Sequence, residues 1–138
     1  MEEGLCPFGR AVMAGEAGCT LARRRPRGEL EAVICASPVA YLNCGTLLQM
    51  LRERARFALR LPGPDALIPH VQSMRLQCGG ALALARELGH DRPRDLHEIV
   101  AEAKQTWGDL ASIPFEPIVR SLVAWQPKRR SGKEGPGA

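Results

Sequence analysis

A chain of 138 residues with 45% apolar content is long enough for one domain with its own core, and too apolar to stay disordered. Aromatic residues make up only 4%, so leucine, alanine and valine must build that core, a composition that favours helix. Of the net charge of +4, +3 lies after Pro127, where Lys128, Arg129, Arg130 and Lys133 face only Glu134, and the near-neutral body argues against nucleic-acid binding.

No run approaches 18 apolar residues, so no membrane-spanning helix is expected. The chain opens Met-Glu-Glu, and Arg10 interrupts the short apolar stretch Ala11–Ala14, which is not a signal-peptide pattern. The expected compartment is the cytoplasm, where disulfides are rare and grouped cysteines more often bind metal or do redox work.

Residues 5–18 read as a short helix, with Pro7 in the first turn, Gly18 as terminator, and Gly9 and Gly15 weakening it. Residues 19–35 read as two extended runs around Pro26-Arg27-Gly28, a short hairpin whose second run carries Val33-Ile34.

The strongest helical pattern follows. Cys44, Leu48, Leu51, Ala55 and Ala58 step by four and three along one face, with Arg52, Glu53, Arg56 and Arg60 opposite. Two starts are open: Ser37-Pro38 as an N-cap with proline after it, or Thr46–Gln49 as a capping box. The helix should end at Leu61, before Pro62-Gly63-Pro64.

A third helix spans about 69–88, with Val71, Met74, Cys78, Ala81, Ala85 and Leu88 in its stripe and Gly89 as its stop. Gly79-Gly80 in its middle implies either close approach of a neighbour or a kink. A fourth helix fits Arg94 to Trp107, ended by Gly108, and a fifth fits Pro114 to Trp125, with Pro117 tolerable only in the first turn. The expected fold is mainly α: a bundle of about five helices, possibly with a short β-hairpin near 19–35. Residues 1–125 form one helical domain with a cysteine-rich part at 1–45, and 126–138 form a disordered basic tail.

Five cysteines, at 6, 19, 35, 44 and 78, exceed what a core needs. No C-x2-C pair or Cys/His knuckle occurs, so no zinc ribbon or ferredoxin run is present. Cys6, Cys19, Cys35 and, if the central helix starts at Thr46, Cys44 fall at element ends, where side chains from separate elements are free to converge; if it starts at Ser37-Pro38, Cys44 lies inside that helix. Four thiolates gathered in that way suit an iron–sulfur cluster, with a four-iron cluster preferred and zinc the alternative. Cys78 sits mid-stripe and reads as a core residue, or as a substitute ligand. Redox-active thiols and plain core cysteines stay open as readings of the same residues. Arg23, Arg24, Arg25 and Arg27 stand near enough in sequence to offset a cluster's negative charge.

His70, His90 and His97 stand apart from the cysteines at ligand spacing, and no phosphate-binding loop is present. No catalytic constellation emerges, so an enzyme is the less favoured reading. The leading expectation is a small cytoplasmic iron–sulfur protein for electron transfer, cluster handling or redox sensing, with a protein partner. The alternative is a helical interaction module with core cysteines and a basic docking tail.

Overall fold

The computed structural model describes residues 4–63 and 66–127; the basic tail expected beyond Pro127 lies outside these. The chain runs α1 (Gly9–Met13), β1 (Ala22–Arg27), β2 (Leu30–Cys35), α2 (Pro38–Ala55), α3 (His70–Met74), a π turn (Arg75–Gly79), α4 (Gly80–Glu87), α5 (Leu96–Trp107), a 3-10 turn (Leu110–Ser112) and α6 (Phe115–Ala124). Since α3, the π turn and α4 follow without a gap, they make one helix. The architecture is a five-helix bundle with one antiparallel hairpin, as expected from the sequence.

The hairpin turns on Gly28-Glu29 rather than Pro26-Arg27-Gly28. Arg27 pairs with Leu30, and Gly28 adopts φ +64°, the left-handed conformation that a two-residue hairpin turn requires at its first central position. Pro26 sits inside β1, opposite Glu31. The bond from the Ala36 N–H to the Leu21 carbonyl, 2.9 Å, sets the ladder so that residue 26 would point any N–H away from β2. Proline therefore costs the ladder nothing there.

The first expected helix is much shorter than residues 5–18. Gly15, not Gly18, ends it: Gly15 has φ +76°, and the Glu16 and Gly15 N–H groups close on the Ala11 and Val12 carbonyls at 3.0 and 3.1 Å. At the other end, residues 4–6 are extended along the free edge of β2. The Cys6 N–H donates to the Val33 carbonyl (2.8 Å), the Cys35 N–H to the Gly4 carbonyl (2.9 Å), and Leu5 bridges Ile34. Pro7 supplies the reason, because proline pushes the residue before it toward extended backbone.

The central helix α2 uses its earlier start. Ser37 is extended, its Oγ accepts the Ala40 N–H at 3.2 Å, and Pro38 opens the first turn. Regular helix stops at Ala55, short of Leu61. Arg60 takes φ +54°, and the Leu61 N–H reaches back to the Arg56 carbonyl at 2.9 Å, a six-to-one closure of the chain end. The buried face is Ala40, Cys44, Leu47, Leu51 and Ala55. Leu47 replaces the expected Leu48, and Ala58 is exposed because the helix has ended before it.

Gly79 and Gly80 mark close approach. A Cβ on Gly79 would stand 2.9 Å from the Trp125 Cβ and 3.0 Å from the Leu122 Cα, and one on Gly80 would stand 2.8 Å from Leu51 Cδ1. Helix α6 thus lies on one glycine and α2 on the next. The π turn ending at Gly79 adjusts the helix at the same place. Among the described residues one contiguous apolar cluster runs from Phe8 to Leu122, with Phe8, Leu47, Leu51, Leu84, Ile118 and Leu122 among its fully buried side chains.

Candidate metal centre

Sheet register places the first two thiols. Leu5 pairs with Ile34, so Cys6 stands beside Val33, and Val33 and Cys35 project from the same face of β2. Val33 belongs to the buried core, which makes this the inner face. Cys6 and Cys35 are therefore diagonal neighbours on the inner face, with Cα atoms roughly 7–8 Å apart.

Cys19 arrives from the loop before β1. Its carbonyl accepts the Ala22 N–H at 3.1 Å, and Ala22 is paired with Cys35. The loop is clamped onto the start of α5. The Gly18 N–H donates to the Pro93 carbonyl (3.1 Å), the Leu96 N–H donates to the Gly18 carbonyl (2.8 Å), and Asp95 Oδ1 accepts the Thr20 N–H (3.1 Å). The same Asp95 oxygen caps α5 by accepting the His97 N–H at 3.2 Å. A side chain on Gly18 would run into the Arg94 carbonyl, so that clamp needs glycine. Cys44 comes from α2, 7% exposed, on the helix's buried face.

The other thiols also bear on Cys44 and Cys6 electrostatically. Burial is the largest effect on Cys44 and pushes its thiol up to about 12, with Cys6, Cys19 and Cys35 each adding to the rise. Burial likewise pushes Cys6 up to about 11, opposed by a hydrogen bond from the Phe8 backbone and reinforced by Cys19 and Cys35. Register sets Cys6 and Cys35 on one face of β2, and the charges of Cys6, Cys19 and Cys35 all bear on Cys44. Burial thus keeps the Cys6 and Cys44 thiols protonated at physiological pH; Cys35 Sγ donates to the Ser37 carbonyl at 3.3 Å.

Cys78 lies elsewhere. It is 2% exposed, and its thiol is pushed up to about 12 first by burial and then by the charge of Glu16, with no thiol among the causes. As a substitute ligand it is misplaced; it behaves as a core residue. All five cysteines are free.

The four arginines of β1 do not form a cationic lining for the thiols. Alternation sends Arg24 to the inner side, where its Nη1 meets Met13 Sδ at 2.9 Å and Glu31 at 3.4 Å, and turns Arg23, Arg25 and Arg27 to the outer face. The histidines are engaged away from the site. His70 Nδ1 meets Arg10 Nη1 at 2.9 Å, and His90 Nε2 meets Glu102 Oε1 at 2.7 Å.

Among the described residues, no group of three or more His, Cys, Asp or Glu side chains is set to hold a metal ion. The thiols converge on one region without closing on one point. Two contributors escape a reading by periodicity: the extended 4–6 segment, signalled only by Pro7, and Asp95, whose partner Thr20 is 75 residues away. No helix among the described residues is long and apolar enough to cross a membrane. No protein family, curated protein or solved structure matches the chain.

Proposed function

We propose that Cys6, Cys19, Cys35 and Cys44 ligate an iron–sulfur cluster, with a four-iron cluster preferred, and that the protein is a small cytoplasmic one-electron carrier. The observation that carries this is the shared electrostatic neighbourhood of Cys44 with the other three thiols. Four soft ligands from four segments, in an apolar surround, match what such a cluster needs. Each thiolate of a cubane binds a different iron, so its ligands stand further apart than the four sulfurs of one tetrahedral zinc. Zinc is the alternative, but it needs its ligands to close on one ion, and no group of three or more His, Cys, Asp or Glu side chains among the described residues does so.

The raised thiols add a chemical consequence. Loading the site must expel protons from groups that hold them tightly, so assembly is favoured by rising pH and by iron that arrives with sulfide. A reducing compartment keeps these thiols available for that step.

The test is anaerobic reconstitution of the full chain with iron and sulfide. The expected product is brown, with about four iron and four sulfide per chain. Serine at any of the four positions lowers both, whereas Cys78→Ser leaves them unchanged. A colourless chain that takes up no iron, yet folds stably, overturns the proposal. It would favour a helical interaction module with core cysteines, a reading to which the missing single-ion site also points.

A further inference from the structure

Helix α2 has an uncharged outer side over most of its length. No charged residue occurs from Pro38 to Leu51, and within that run Val39, Tyr41, Leu42, Thr46 and Gln49 are exposed. Leu42, Gly45, Thr46 and Gln49 step by three and four, so they form a row on the side away from buried Cys44, Leu47 and Leu51. Such a row is the shape of a hole that receives a side chain from a facing helix.

Along this row lies an apolar groove of about 640 Å³, walled by Leu5, Pro7, Tyr41, Leu42, Gly45 and Met50 among others. Val39 is 68% exposed, Leu42 65% and Leu5 50%. With Tyr41 these residues expose on the order of 400 Å², about half of what one partner brings to a standard-size interface. Gly45 adds a second observation. Outside its own helix, a Cβ there would meet only Pro7 Cγ, at 3.9 Å, so internal packing does not call for glycine. A glycine inside a helix costs stability, and at this position its effect is to let an outside element approach the α2 backbone closely.

The ends of the helix are complementary to each other. No acidic residue lies in the first turn of α2, where the helix dipole is positive. At the far end Glu53 is exposed and forms no ion pair among the described residues. Its neighbours are drawn elsewhere: Arg52 donates to the Gly63 and Ala66 carbonyls at 2.9 and 3.0 Å, and Arg54 stands over the Phe115 ring at 4.7 Å.

We infer that a second copy of the chain docks on this face, the two α2 helices running antiparallel and crossing at Gly45. A two-fold axis between Gly45 and Thr46 sets Leu42 of each copy opposite Gln49 of the other, and Glu53 opposite Pro38. Uncharged surface then covers uncharged surface, small residues meet at the crossing, and each carboxylate reaches the other copy's positive helix end. The inference does not depend on metal at the thiols.

The test is sedimentation equilibrium of the full chain under reducing conditions, between about 5 and 500 μM. The mass should climb with concentration from the 15.0 kDa of one chain toward twice that value. Leu42→Asp and Gly45→Gln should each weaken association about tenfold or more while keeping the wild-type circular dichroism spectrum. Val39→Glu and Glu53→Arg should each weaken it several-fold by placing like charges together, and the double variant V39E/E53R should recover most of the loss, because each new glutamate then faces a new arginine. Arg86→Glu, exposed on α4, should change nothing.

A chain that stays at one-copy mass through the whole range overturns the inference and leaves the face to a different protein. Unchanged association in Leu42→Asp overturns it as well, since the copies would then meet elsewhere. Failure of V39E/E53R to recover association overturns the antiparallel arrangement.

Discussion

Cys6 and Cys35 face each other diagonally across the 2.8 Å hydrogen bond from the Cys6 N–H to the Val33 carbonyl. That bond, with the Leu5 bridge to Ile34, ties residues 4–6 to the free edge of β2, and the pairing fixes which way Cys6 points. A slip of one residue would turn Cys6 outward and Leu5 inward. The position of the first candidate ligand thus rests on backbone pairing rather than on helix formation. The proposed centre inherits its geometry from three independent clamps: the strand pairing, the Ser37 cap of α2 and the Asp95 cap of α5.

The Asp95 clamp is open to direct test. Asp95→Ala removes the cap of α5 and releases Thr20, which should cost about 1 kcal/mol. The loss should be accompanied by faster amide exchange at 18–21 and lower iron retention, because Cys19 rides on that loop. Asp95→Asn, which keeps a cap acceptor, should recover most of the stability. Unchanged exchange at 18–21 in the alanine variant would show that the backbone bonds to Pro93 and Leu96 suffice.

How much of this was legible in the sequence varies with the range of the interaction involved. The helices after residue 37 follow from apolar spacing and from local caps at Ser37, Gly89 and Gly108, since those signals act within a few residues. Cys44 is not at an element end: once Ser37 caps α2, it lies in the helix interior on the buried face. What failed was non-local or competing. Residues 5–8 contain nothing hostile to helix except Pro7, yet Leu5 and Cys6 pair with β2, because the edge of that strand would otherwise carry unmet backbone groups. Leu47 displaced Leu48 because the inward direction of α2 is set by where α6 and the π turn lie, which no local pattern reports. The outward turn of three β1 arginines was hidden until the register was known.

The glycine pair in the third helix separates two kinds of crowding. Gly79→Ala would push a Cβ against the Leu122 Cα and Trp125 Cβ, both held to the α6 backbone, and should cost about 1–3 kcal/mol. Gly80→Ala meets Leu51 Cδ1, the far end of a flexible side chain rather than backbone, and gains up to about 1 kcal/mol of helix propensity to set against that contact. Denaturant melts should therefore rank Gly79→Ala well below Gly80→Ala. The reverse order would mean that the α2 contact, not the α6 contact, is the tighter one.

Cys78 should make stability fall at alkaline pH. Its folded value is pushed up to about 12 from 9.0, mainly by burial. Below pH 9 both states hold the proton, and the full stability is present. Above it the unfolded chain loses the proton while the native chain keeps it, so native stability declines as pH rises toward 12, by about 1.4 kcal/mol per pH unit for one thiol. Cys78→Ala removes this dependence. The gap between wild type and variant, measured in urea melts, should narrow as pH climbs above 9. A constant gap would mean that the thiol ionises as easily in the fold as out of it.

Iron removal tests where metal and folding are coupled. From the sequence, the whole of residues 1–35 is short of apolar positions at helical spacing and should loosen without metal. The structure narrows that expectation, because Phe8, Ala11, Val12, Ala17 and Val33 all belong to the buried core. Segment α1 and the middle of β2 are therefore held by ordinary burial, and under the proposed ligation only the ligand-bearing margins would depend on a cluster. In iron-free protein, amide exchange should quicken at 4–6, at 18–22 and around Cys35–Ser37, where backbone pairing is short and the thiols repel any ionised neighbour. Residues 8–12 and helices α2 and α4 to α6 should stay protected. Identical protection at 18–22 with and without iron would sever the link between the site and the fold. Loss extending through Phe8 and Ala11 would show that burial alone does not hold the first helix, and that the cluster organises the whole N-terminal third.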